Sequence, residues 1–214
     1  YTHNAFKDTD GNTRIENIYD LENEVVYDKN KINEALKSED PFSIVPEIDL
    51  SGHGTHVAGI ACAGGNINFD NYGVAYKSSI AMVKITSGNS LREALSTQLM
   101  KGLKFLMDKS NEINKPLVVN ISLSTNDGSH NGNSLLEKYI QTFSQLQKAV
   151  IVVAAGNEGN SAHHVGGNMK KEEELDLNIG DGEKSIILAF FKSVLVDVSV
   201  EVISPTGVST GPME

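Results

Sequence analysis

The chain has 214 residues, enough for one large domain or for one domain and the start of another, so a core can be buried without disulfides or metal. Its 28 carboxylates outnumber 18 lysines and arginines, and the net charge of −10 argues against a nucleic-acid backbone or an anionic membrane surface as partner. A single cysteine, Cys62, excludes an intrachain disulfide, and no stretch reaches the apolar length of a transmembrane helix.

The chain opens at Tyr1, not at a methionine, without a charged-then-apolar leader, and reads as cut from a longer precursor. Residues from Tyr1 to about Leu50 are polar and mixed, with Asp10-Gly11-Asn12 as a turn signal and a short helical stretch from Lys31 to Ser38; they are expected to form a surface segment. Small residues crowd the chain from Gly52 to Gly65, and the apolar run Ser79 to Ile85 then predicts a buried strand. Helical spacing over Leu91, Leu95, Leu99, Leu103 and Leu106 is followed by Pro116 and the apolar strand Leu117 to Leu123. The same pair recurs as an amphipathic stretch from Leu135 to Gln147 and the run Ala149 to Ala155.

Continuous apolar runs predict strands covered on both faces, hence an α/β fold with a doubly wound, mostly parallel sheet over residues 1–166. The texture changes after Gly167. Val196 to Val202 alternates strictly, which predicts one wet face and an antiparallel β module beginning at 167 and running to 214.

The sharpest chemical signal is Gly52-His53-Gly54-Thr55-His56-Val57-Ala58-Gly59. A histidine opening a helix sits at the positive end of the peptide dipole, where a neutral, proton-accepting ring is favoured over the cation. His53 is therefore the candidate general base. His56 shares the helix at a spacing of three, but without a flanking glutamate or a third ligand the pair makes a weak zinc site, and His56 receives no chemical role. The second signal is the strand ending in Gly156-Asn157-Glu158-Gly159, where a side-chain amide at the mouth of a parallel strand can donate to a developing oxyanion. Asn157 also suits a plain turn between two glycines.

His53 to Gly59, Gly73-Val74-Ala75, Asn120-Ile121-Ser122-Leu123 and Ala154 to Gly159 resemble, in order and spacing, four successive motif blocks of the subtilisin-like serine proteases. The resemblance covers roughly Tyr1 to Asn160. It implies a serine endopeptidase in which His53 is the catalytic histidine, Asn157 the oxyanion donor, and Ser122, Leu123 and Ser124 the strand that pairs with an extended peptide substrate. The resemblance also implies that Ser87 and Gly88 form the opposing substrate strand. Tyr76 stands where the family usually has proline, and Ser124 where glycine is common; the second departure implies a narrower entrance to the specificity pocket.

The long polar lead and a β module entering after His164-Val165-Gly166-Gly167 are similar to the clostridial Csp-type germination proteases. There a jelly-roll domain is inserted between the asparagine and the serine, and the substrate is the zymogen of a spore-cortex lytic enzyme. That resemblance implies a secreted or spore-associated bacterial protein, a protein or peptide substrate and a propeptide as partners, and no cofactor beyond a structural calcium ion.

The family's triad runs aspartate, histidine, serine. No Gly-Thr-Ser block occurs here, and Ser209, in a turn after an edge-like strand, is rejected as nucleophile. Asp49 precedes His53 by only four residues and is read as a structural neighbour of the histidine loop. Tyr1-Thr2-His3 resembles the sequence just after the catalytic aspartate. This chain by itself is expected to be inactive and to self-associate. The competing expectation is a subtilase-like scaffold that binds or senses without cleaving.

Overall fold

The computed structural model describes residues 1–85, 91–126, 128–146, 149–169 and 171–214. Two compact units emerge: Tyr1–Leu123 with Leu135–Ala155, and Ser124–Ser134 with Gly156–Glu214.

The first unit begins with β1 (Ile15–Asp20), β2 (Val25–Asp28) and α1 (Lys29–Leu36). Asp28 ends β2 and also opens α1, its carboxylate accepting from the Lys31 amide at 2.8 Å, which satisfies one of the unpaired first-turn donors. Helix α2 (His53–Cys62) leads to β3 (Ile80–Lys84), and α3 (Leu91–Glu112) to β4 (Leu117–Ile121); α4 (Leu135–Leu146) and β5 (Ala149–Val153) complete the unit. Strand order in the first sheet is β2-β1-β3, with β1 and β2 antiparallel and β1 and β3 parallel from Ile15 beside Ile80 to Asp20 beside Lys84. β4 and β5 form a second, parallel pair, in register from Leu117 beside Ala149 to Ile121 beside Val153.

Residues Tyr1 to Leu50 are not a surface segment. They supply the central strand of the first sheet, and Ala5, Phe6, Ile15, Ile18 and Ile32 join Cys62, Ala63 and Ile80 in one buried cluster. The sequence hides this because β1 buries polar residues too: Asn17 and Asp20 lie inside with Ile15 and Ile18, so no apolar alternation survives. The antiparallel β2 edge is hidden for a different reason: it is four residues long and mostly exposed, so it leaves no burial pattern to read.

A second cluster joins Leu103 of α3 and Phe143 of α4 to Val119 and Ile121 of β4 and Ala149 of β5. Cover on both faces was expected for these strands. Instead Val118, Val150 and Val152 are each more than half exposed, so among the described residues the helices cover one face only.

In the second unit no described residue belongs to a helix or an extended strand. Residues 200–213 nevertheless fold back on themselves: Val200 and Met213 exchange backbone bonds of 2.8 and 2.9 Å, and Ser204 to Val208 close a turn with Gly207 at φ 83°. Val198, Val200 and Val202 are half-buried while Ser199 and Glu201 are exposed, the two-residue period expected of this stretch without a ladder along its length.

Candidate active site

His53 is the first residue of α2. The backbone reaches it through Gly52 at φ 74°, the left-handed region that a side chain would strain. The amides of Gly52, His53 and Thr55 are met by the preceding loop. Oδ2 of Asp49 accepts from the Thr55 amide and from Thr55 Oγ1, both at 2.7 Å, while its Oδ1 accepts from the Gly52 amide at 2.9 Å and from Ser51 Oγ at 3.2 Å. Ser51 Oγ in turn accepts from the His53 amide. The amide and hydroxyl of Thr55, then burial acting the other way, then Gly52 and Ser51, bring the Asp49 carboxyl down to about 2. Asp49 is thus a helix cap beside the histidine. His53 and His56 are both exposed, and no group of three or more His, Cys, Asp or Glu side chains among the described residues is arranged to hold a metal ion.

Behind this loop lies a polar cluster that sequence reasoning missed. Asp20 ends β1 almost fully buried, Glu47 is 8% exposed, and Lys84 ends β3 with its Nζ 2.8 Å from Glu47 Oε2 and 3.3 Å from Asp20 Oδ2. Burial pushes the Glu47 carboxyl up, against the opposing bond from Lys84, and Asp20 beside it pushes the same way. For Asp20 burial also acts upward, but it is outweighed by the side chain and amide of Asn23, with Glu47 and the Glu22 amide, leaving it well below the usual carboxylate range. The bond to Glu47 leads in holding the Lys84 ammonium above its ordinary value. Lys84, closing an apolar run, was the one available signal, and a weak one, because its side chain is 41% exposed and burial does not oblige it to pair.

Ser122 and Leu123 continue β4. Asn120 Nδ2 donates to Ser122 Oγ at 2.9 Å, and the Ala154 amide donates to the Ile121 carbonyl at 3.0 Å, so the ends of β4 and β5 lie side by side. In the second unit, a Cβ at Gly156, where φ is 87°, would stand 3.3 Å from Ser124 Cβ and Oγ. Asn157 follows directly and is exposed. Its neighbour Glu158 accepts from Asn126 Nδ2 at 2.6 Å and meets His163 Nδ1 at 2.9 Å; those two bonds draw its carboxyl down. Hence His53, Ser122 and Leu123 belong to the first unit, and Ser124 and Asn157 to the second. Ser87 and Gly88 lie outside the described residues.

Comparison with known proteins gives a consistent picture. The family described as Subtilase family matches residues 2–184. The chain is 34% identical over 122 residues to a subtilisin-like protease 3 of Pseudogymnoascus destructans, covering 56% of this chain and 27% of that protein. It is 34% identical over 112 residues to thermitase of Thermoactinomyces vulgaris, covering 52% of this chain and 36% of that one. The solved structure of the Clostridium perfringens CspB protease superposes with a TM-score of 0.91 at 92% identity, over 100% of this chain and 46% of the other. The chain therefore spans less than half the length of each of these relatives.

Proposed function

Because this chain belongs to the subtilase family, we propose that it is the part of a serine endopeptidase that supplies the general base, His53, and the oxyanion donor, Asn157. The observation that carries the reading is the seating of His53: it opens α2 exposed to solvent, on a loop fixed to the helix by the hydrogen bonds of Asp49. A base on a preorganised support can reach an incoming hydroxyl without reorganising.

In this reading, His53 takes the proton of a serine hydroxyl as its oxygen attacks the peptide carbonyl, and the carbonyl oxygen, now negative, accepts from the Asn157 amide. His53 returns the proton to the departing amine, leaving an acyl-enzyme that water cleaves. The serine and the aspartate that orients His53 are other residues of the parent protein. Ser122, Leu123 and Ser124, with Ser87 and Gly88 opposite, pair with an extended peptide. Residues 1–166 are the catalytic part and 167–214 the start of an inserted jelly-roll-like β domain, a division supported by the change in sequence texture at Gly167. The same reading gives the parent protein a secreted or spore-associated setting and a protein or peptide substrate, in keeping with its likeness to a clostridial protease.

The test uses the parent protein with a fluorogenic peptide and a serine-directed fluorophosphonate. His53→Ala is expected to abolish hydrolysis, and Asn157→Ala to lower kcat about 100- to 1000-fold with little change in KM. Full hydrolysis by His53→Ala overturns the assignment. A parent that takes up no fluorophosphonate and cleaves nothing is instead the non-cleaving scaffold.

A further inference from the structure

Helix α2 is packed at one end only. Its buried residue is Cys62, at the C-terminus, with Ala58 packed against the same cluster, whereas His53, Gly54, Thr55 and His56 are all exposed. Residues 46–52, which lead into it, form neither helix nor strand, and their apolar side chains are exposed, so neither apolar packing nor a backbone ladder within them sets where His53 stands. Polar bonds do. Val45 is fully buried, with its carbonyl accepting from Tyr1 Oη at 3.0 Å. Beyond it Pro46, Ile48, Asp49 and Leu50 face solvent, and Glu47 alone turns inward, to Lys84 Nζ at 2.8 Å. A carboxylate carried into the fold in mid-segment needs a partner, and such a pair contributes defined geometry more than net stability.

We infer that Glu47 is a positioning residue for the proposed general base: its ion pair with Lys84, shared with Asp20, pins the His53 loop to the ends of β1 and β3, while Asp49 pins the same loop to α2. The inference rests on the role given to His53 above. The chain is thereby held at two points on either side of Ile48, one on the sheet and one on the helix, and the imidazole inherits its place from both. One ammonium anchors both the base-bearing loop and the C-terminal end of β3.

The experiment measures kcat, KM and the thermal midpoint of the parent protein carrying Glu47→Ala, Glu47→Gln or Glu47→Asp, with His53→Ala as control. Glu47→Ala is expected to lower kcat about 10- to 100-fold per folded molecule with KM within about twofold, the effect of a displaced catalytic group. Glu47→Gln, which keeps the shape and an acceptor for Lys84, recovers most of the loss. Should Glu47→Ala fail to fold, Glu47→Asp carries the test, because it keeps the charge but shortens the arm, with about a tenfold fall in kcat expected. An unchanged kcat in the folded Ala and Asp variants, whatever their midpoints, overturns the inference. Full activity in His53→Ala, or none in the unaltered parent, overturns the protease reading itself, and the positioning role falls with it.

Discussion

Asp49 shows how one carboxylate fixes the start of a helix. It is ionised in the fold, held at about 2 against an ordinary 3.8, so its bonds to Thr55, Gly52 and Ser51 favour the folded state above pH 4. A depressed carboxyl loses that contribution as pH falls, here from about 4 towards 2. The unfolding midpoint of the wild-type chain, followed over that window, is expected to drop more steeply than that of Asp49→Asn, whose uncharged amide does not titrate. At pH 7 Asp49→Ala is expected to cost about 1 kcal/mol, as for a lost helix cap, read from a urea midpoint. Of the residues with proposed roles, His53 and Asn157 were legible because each stands at a change of texture, glycine before a helix and glycine after a strand. Glu47 was not, since its meaning depends on Lys84 and Asp20, which lie 37 and 27 positions away in the numbering.

Among the elements, α2 and the loop after it meet backbone to backbone. A Cβ on Gly73 would stand 2.6 Å from the Cys62 amide nitrogen and the Gly59 carbonyl oxygen, whereas one on Gly59 meets nothing within 4 Å. Gly73→Ala is therefore expected to destabilise the chain by about 1–3 kcal/mol. Gly59→Ala, which only removes backbone freedom inside a helix, is expected to be neutral or to stabilise by up to about 1 kcal/mol. Urea unfolding of the two variants side by side checks the contrast. Helices α3 and α4 and strands β3, β4 and β5 were readable from periodicity within a residue or a few, because their buried positions are apolar. β1 was unreadable because its burial includes Asn17 and Asp20, whose carboxamide and carboxylate look like solvent-facing groups in a string of letters.

At the scale of the molecule, the exposed face of the β4 and β5 pair bears on behaviour in solution. Val118, Val150 and Val152 present a contiguous apolar strip of the kind that drives association. The isolated chain is expected to self-associate at micromolar concentration, and Val150→Lys to shift the light-scattering mass towards the monomer; a monodisperse 23.1 kDa wild type would contradict this. Elsewhere the first unit closes on itself through Arg14, whose guanidinium donates to the carbonyls of Ala5, Cys62 and Ser78 at 3.2, 2.8 and 2.9 Å. The lone thiol of Cys62, whose carbonyl is one of those acceptors, is buried, its pKa raised by the burial. A thiol reagent can reach it only when the segments that Arg14 gathers come apart, so the rate of labelling is a stopwatch on the breathing of this half of the protein, present in the natural sequence with no dye or tag installed.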